Sequence, residues 1–156
     1  MKSLREICPV LRGMLFTFGL SLLLAAPAEA QQEQVALVKV VAGEAYALRA
    51  DQRAELGVGE AIFAKDIVET AEGSIGLTFT DGSRISIGPN SRVQFTEFQF
   101  APAEGKLSFL IEFFRGTMLY VSGVIAKLSP DAVKVKTPVA TVAVRGTRFL
   151  AEIEGD

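Results

Sequence analysis

The sequence lacks histidine and tryptophan and has a single cysteine in 156 residues. Without an imidazole, no histidine base, histidine-activated nucleophile or histidine metal ligand can be built within the chain. One cysteine excludes zinc and iron-sulfur sites that need several thiolates. The formal net charge of −2 leaves no basic surplus for binding nucleic acid. These absences favour a binding or structural protein, with no cofactor and no nucleic-acid partner.

The first thirty residues have the layout of a secretory signal peptide. They open with three basic side chains against one acid, and an uncharged run follows over residues 13–28. Its most apolar part is shorter than the roughly 20 residues that cross a bilayer as a helix. Ala28 and Ala30 supply the small residues that a signal peptidase reads. We predict a signal helix over 1–30, cleaved before Gln31, and a periplasmic or secreted protein. An uncleaved inner-membrane anchor is the alternative.

Residues 31–156 are predicted to form one domain. They number 126, carry 13 lysines and arginines against 16 aspartates and glutamates, and contain no cysteine. No disulfide can therefore stabilise the domain, but a chain of this size buries roughly two thirds of its unfolded surface. Its net charge of −3 gives no electrostatic reason to bind anionic lipid, so membrane contact is expected only if the signal segment stays uncleaved.

The apolar pattern of this domain alternates with period two and is interrupted by frequent turn signals. No stretch has the spacing of an amphipathic helix. We therefore predict an all-β fold of about ten short strands, in a twisted two-sheet or β-solenoid-like stack. In 74–95, the pair Asp81-Gly82 predicts a two-residue hairpin, because glycine reaches positive φ without steric cost. A break is expected at Arg115-Gly116. The candidate structural turns are Asp81, Gly82, Gly88, Asn90 and Gly116.

Six phenylalanines between residues 95 and 114 have two interpretations. Most of them are expected in the core. If Phe98 and Phe100 lie in an edge strand, they could instead form a docking patch. The aromatic residues concerned are Phe95, Phe98, Phe100, Phe109, Phe113 and Phe114.

No group of residues has the pattern of a catalytic or metal site. Neighbouring acids such as Asp66 and Glu69 are expected to be solvated, and the serines have no histidine to activate them. The segment 81–83 is similar to the start of a calcium loop, but the later acidic ligands are missing. We predict that the protein is not an enzyme.

Arg145 lies in a turn near the end of the chain and has two interpretations. Its guanidinium could bind a partner's carboxylate, with Thr147 hydrogen-bonding an incoming strand. Alternatively, Arg145 could pair with an acid of its own domain while Gly146 supplies the turn.

The segment 137–149 reads TPVATVAVRGTRF and resembles the FecR domain family. Earlier pieces fit the same family in the same order: Gly59-Glu60, 66–70, 81–83 and 88–91. The resemblance extends over about residues 40–153. It implies a periplasmic domain that senses a ligand-loaded outer-membrane transporter and signals to a cytoplasmic sigma factor. Regulators of this kind carry a cytoplasmic anti-sigma region and a membrane span, whereas this sequence begins with the predicted signal peptide.

Together with the predicted signal peptide, the resemblance leads us to predict an exported, non-enzymatic domain that acts by protein-protein contact, through an exposed strand edge or hairpin. The expected setting is envelope or iron-uptake-type signalling, with an outer-membrane transporter or another signalling component as partner. An envelope structural or saccharide-binding and cell-wall-binding domain without a signalling role is the alternative. The candidate contact and motif residues are Thr137, Pro138, Arg145, Gly146, Thr147 and Phe149.

Overall fold

The computed structural model describes residues 33–145 and 147–154, so the predicted signal helix and Gly146 lie outside the described residues. Nearly all regular secondary structure of the described chain is β-strand, which confirms the all-β prediction. Its strands are β1 (Gln34–Ala42), β2 (Ala45–Arg49), β3 (Gln52–Glu55), β4 (Ala61–Phe63), β5 (Ile67–Thr70), β6 (Ser74–Phe79), β7 (Arg84–Ile87), β8 (Arg92–Ala101), β9 (Lys106–Val121), β10 (Val133–Lys136), β11 (Thr141–Ala143) and β12 (Arg148–Ile153). One short helix, α1 (Val124–Leu128), follows β9, and 3-10 turns occur at Pro102–Glu104 and Pro130–Ala132.

The long strand β9 belongs to two sheets and joins them. Its second half pairs with β7 and β12 in the first sheet, whose strand order is β12-β9-β7-β6-β1-β4. Its first half pairs with β8 and β10 in the second sheet, whose order is β11-β10-β9-β8-β5-β2-β3. Among the described strands, only the β9–β10 pair is parallel. This pairing makes the fold a twisted two-sheet arrangement, because a solenoid stacks parallel coils.

The bend of β9 lies at Gly116, where the sequence predicted a break between two strands. Gly116 has φ of +92°, a conformation that glycine adopts without steric cost. Residues before it pair with β8, and residues from Gly116 onward pair with β12. One continuous strand therefore replaces the two that were expected.

The core lies between the two sheets and is rich in aromatic rings. Phe79 of the first sheet meets Phe95 and Phe109 of the second, with ring centroids 4.9 and 4.7 Å apart. These separations are typical of favourable aromatic pairs. Tyr120 is fully buried beside them, 6.2 Å from Phe109.

The phenylalanine prediction is correct for most of the six rings. Phe95, Phe98, Phe109 and Phe113 are buried, and Phe100 is partly buried against the same core. Phe114 is an exception, because it is 36% exposed. The described structure therefore places Phe98 in the core and not in a docking patch.

The hairpin predicted at Asp81-Gly82 joins β6 to β7, but its loop has three residues instead of two. The N–H of Phe79 donates to the carbonyl of Ser83 at 2.8 Å, and Gly82 donates back to Phe79 at 3.0 Å. Gly82 has φ of +80°. A tight turn followed by a left-handed glycine is the usual three-residue hairpin loop.

Candidate partner-contact surface

Asp81 is buried at the hairpin turn and binds the chain that follows β9. Its Oδ1 accepts the N–H of Ser83 at 2.9 Å, and its Oδ2 accepts the Ser83 hydroxyl at 2.8 Å and the Ile125 N–H at 3.3 Å. Its main-chain carbonyl accepts the Val124 N–H at 2.8 Å. The Asp81 side chain thereby connects the hairpin to the start of α1, and it is 1% exposed.

The Ser83 hydroxyl extends this buried network toward the core. It accepts the Gly123 N–H at 3.0 Å and lies 3.2 Å from the Tyr120 hydroxyl. Burial raises the pKa of Tyr120, which keeps its hydroxyl neutral. Asp81 and Gly82 therefore have an internal structural role in the described chain.

A second polar network surrounds the bend of β9 and involves Gly88 and Ser91. The Thr70 hydroxyl donates to the Gly88 carbonyl at 2.6 Å and accepts the Ser91 N–H at 3.0 Å. The Ser91 hydroxyl in turn accepts the Thr117 N–H at 3.0 Å. Asn90, next to Ser91, has φ of +52° and turns the chain. These residues satisfy main-chain groups where the strand changes sheets.

Asp66 is buried and forms a third internal contact, with Arg49, so the expectation that this acid is solvated is wrong. The guanidinium donates from Nε to Oδ1 at 2.8 Å and from Nη2 to Oδ2 at 2.6 Å. This bidentate pair raises the pKa of Arg49, chiefly through its hydrogen bond to Asp66. The Asp66 carboxylate also accepts the Phe63 N–H at 2.9 Å, so it fixes the turn before β5.

Thr137 and Pro138 form the tip of a hairpin between β10 and β11. The Thr137 N–H donates to the Ala140 carbonyl at 2.7 Å, and its hydroxyl oxygen accepts the Ala140 N–H at 3.0 Å. Val139 projects from the tip and is 94% exposed. Thr137 thus closes the turn, and the most exposed large apolar side chain of the described residues lies beside it.

The strand β11 forms an edge of the second sheet and carries no charge. All three of its residues are exposed, and Val142 is 53% exposed. The other described sheet edges differ from it: β3 and β12 carry charges of both signs, and the three residues of β4 are at least partly buried. Charges on an edge strand oppose pairing with any strand that does not complement them. The edge β11 is therefore the one most suited to pairing with a strand of another protein.

Alternate residues of β11 point their main-chain N–H and C=O groups away from β10. Thr137 pairs with Ala140 and Val144 pairs with Val133 by hydrogen bonds. Residues that hydrogen-bond to the neighbouring strand alternate with residues that do not in an antiparallel ladder. The main-chain N–H and C=O groups of Val142 therefore also point toward β10. Thr141 and Ala143 therefore direct their N–H and C=O groups away from β10.

Arg145 follows this edge and forms an ion pair within the domain. Its Nε and Nη2 donate to Oδ1 of Asp131 at 3.1 and 2.7 Å, and this hydrogen bonding raises the pKa of Arg145. Both side chains are largely exposed. Thr147 is exposed, and its carbonyl accepts the Ser122 N–H at 2.9 Å. The Phe149 ring is partly buried, 5.3 Å from the ring of Tyr120.

Replacing Arg145 with alanine is expected to leave the thermal midpoint nearly unchanged, because an exposed ion pair contributes little to stability. Thermal unfolding followed by circular dichroism checks this expectation. A large fall in the midpoint would show that the Arg145–Asp131 pair is structural.

A model of the FecR protein family matches residues 66–156, which is more than half of the chain. The chain belongs to the FecR family. The matched region starts at Asp66, so Gly59-Glu60 lies before it. Searches of curated proteins and of solved structures found no match.

Membership of the FecR family is consistent with a signalling-related, non-enzymatic domain. The family is generally involved in envelope signalling, which is consistent with a protein partner. Within the described residues of this FecR domain, no group of three or more acidic, cysteine or histidine side chains could hold a metal ion. The same part of the chain contains no helix that is long and apolar enough to cross a membrane.

The described structure separates the FecR motif residues into two groups. Those at 66–70, 81–83 and 88–91 hold the fold through buried or partly buried hydrogen bonds, whereas Thr137 and Pro138 shape an exposed hairpin. Sequence reasoning missed the importance of Val139 and Val142. The uncharged run over 137–144 was the available signal.

Proposed function

We propose that this FecR domain is an exported, non-enzymatic protein that binds a protein partner in the cell envelope by adding a partner strand to β11. The observation that carries the proposal is the uncharged edge formed by β11 with its open main-chain groups. Strand addition gains affinity from main-chain hydrogen bonds and specificity from alternate side chains. Of the predicted contact residues, the proposed surface keeps Thr137 and Pro138, which lie at the tip of the β10–β11 hairpin, and adds the edge of β11.

The surroundings of β11 define the chemistry of the incoming strand. Val142 lies beside the buried Val135 and is half-exposed at the rim of the core, so a partner's apolar side chain could cover it. Thr141 and Ala143 lie on the opposite face, next to Lys136 and Lys134. An acidic side chain on that face of the partner strand would complement the two lysines.

The proposed setting is the periplasm or the cell exterior, reached through the predicted signal peptide. The apolar run near the N-terminus and the small residues at 28 and 30 support export. Family membership supports a signalling partner in the envelope. An outer-membrane transporter is the first partner class to examine, since the family resemblance implies iron-uptake-type signalling.

Site-specific crosslinking in cells tests the proposed edge. A photoreactive amino acid at Val142 of the full chain is expected to give one protein adduct of defined mass, because this side chain would be covered by the partner strand. The same amino acid at Ala54, the matched position on the opposite sheet edge, is expected to give no such adduct. Mass spectrometry of the adduct identifies the partner.

A main-chain variant shows whether strand pairing is responsible. Ala143→Pro removes an N–H that faces away from β10, so it spares the internal ladder. It is expected to abolish the adduct at position 142 while the protein stays folded. Equal adducts at positions 142 and 54, or an adduct insensitive to Ala143→Pro, would contradict the proposal. Binding to purified peptidoglycan without any protein adduct would support the cell-wall alternative.

A further inference from the structure

The strand β12 presents a second open edge, on the other sheet. It pairs with β9 along one side, and no other described strand pairs with it. The Ser122 N–H donates to the Thr147 carbonyl at 2.9 Å in the same register. Because the direction of the main-chain N–H and C=O groups alternates along an antiparallel ladder, these groups of Phe149 and Ala151 also point toward β9. The main-chain groups of Arg148, Leu150 and Glu152 face the open edge.

The three residues of β12 whose main-chain groups face outward are a central leucine and two flanking residues of opposite charge. Arg148 and Glu152 flank Leu150 at equal spacing on the same face of the sheet, and all three side chains are exposed. Leu150 is 70% exposed and lies beside Leu119 of β9. A strand with this pattern is complementary to its own reversed copy.

We propose that two copies of this chain pair through β12 in antiparallel orientation, with the two-fold axis at Leu150. In this register Arg148 of each copy lies opposite Glu152 of the other, and the two Leu150 side chains meet. Opposite charges directly across an antiparallel pair are stabilising, whereas like charges are destabilising. A two-fold interface requires this kind of self-complementary surface.

The main-chain hydrogen bonds and the pairing of opposite charges are both satisfied in this same register. The outward-facing residues 148, 150 and 152 come into hydrogen-bonding positions with one another. A shift of two residues places Leu150 opposite a charged side chain, and a shift of one residue opposes outward-facing with inward-facing main-chain groups.

The opposite face of β12 also fits self-pairing. Phe149 and Ala151 point toward the core but are only partly buried at the sheet edge. In the proposed register, Phe149 of one copy lies opposite Ala151 of the other. The pair therefore covers apolar surface on both faces of the joined sheet. This inference is independent of partner binding at β11, which belongs to the other sheet.

Sedimentation equilibrium of the protein, purified after expression of the full chain, tests this interface. The unchanged protein is expected to be a dimer. Arg148→Glu and Glu152→Arg are each expected to weaken dimerisation about tenfold, because each change creates two like-charge contacts. The double variant is expected to recover the original affinity. A mixture of the two single variants is expected to form a heterodimer, since both cross-strand contacts then become attractive.

Arg84→Glu is the matched control for these variants. Arg84 lies on the same face and in the same cross-strand row as Arg148, two strands away from the edge. Its substitution is expected to leave dimerisation unchanged. An unchanged protein that stays monomeric up to about 1 mM would overturn the proposal, since that concentration marks only weak association. A dimer that is insensitive to both charge reversals, or a double variant without recovery, would also overturn it.

Discussion

Replacing Asp81 with alanine is expected to lower the free energy of unfolding by about 3–5 kcal/mol, because several buried donors lose their acceptor at once. The carboxylate accepts from the main chain of Ser83, from its hydroxyl and from Ile125. Alanine leaves these groups buried without replacing their hydrogen bonds. Chemical denaturation of the purified protein measures the loss.

Asp131→Ala is the control for the Asp81 substitution. Asp131 also lies in a turn, Pro130–Ala132, but its side chain is 70% exposed. Its replacement is expected to cost less than about 1 kcal/mol, as most surface substitutions do. Similar losses for the two alanine variants would contradict the structural role of the Asp81 network.

Gly116→Ala is expected to be nearly as damaging, with a loss of about 3–5 kcal/mol. Two effects combine at this position. The backbone has φ of +92°, which disfavours any residue with a Cβ. A Cβ would also lie 2.5 Å from the Cα of Ser91, which is part of the buried turn network.

Gly59 separates the two effects because it has nearly the same φ, +93°, but no atom within 4 Å of the position that an alanine Cβ would take. Gly59→Ala is therefore expected to cost only the conformational term, about 1–2 kcal/mol. The difference between the two variants measures the steric contribution at the bend of β9. Equal losses would contradict the close packing of Gly116 against Ser91.

The sequence pattern predicted local structure well where alternation and turn residues agree. The strands β6 and β7 and the turn between them were expected from alternating apolar residues and from Asp81-Gly82. Loop length was wrong, because the same residue pair also fits a three-residue loop with a left-handed glycine. At Gly116 the glycine was interpreted as a strand end, although it bends a strand that continues into the other sheet.

The alternation of apolar residues in the sequence does not predict contacts between segments that are far apart in the chain. Asp81 meets Ile125 across 44 residues, and this contact depends on the pairing of β7 with the end of β9. Arg145 meets Asp131 because the two residues flank the β10–β11 hairpin, whose strand register the sequence did not specify. The candidate site at β11 was visible as an uncharged run, but its position at an unpaired sheet edge required the strand order.

The FecR motif residues have two kinds of environment. Asp81 and Ser91 are buried in hydrogen-bond networks that hold turns of the fold. Val139 and Val142 belong to the family segment 137–149 but are exposed, so their substitution is expected to cost little stability. We infer that these two side chains serve contact with a partner.

Amide hydrogen exchange at Thr141 and Ala143 is the most direct measurement of partner-strand addition. These N–H groups face the open edge, so they are expected to exchange rapidly in the free protein and slowly in the complex with the partner captured at position 142. The Val142 amide, which faces β10, is expected to be protected in both states. Rapid exchange at Thr141 and Ala143 in the complex would contradict strand addition at β11.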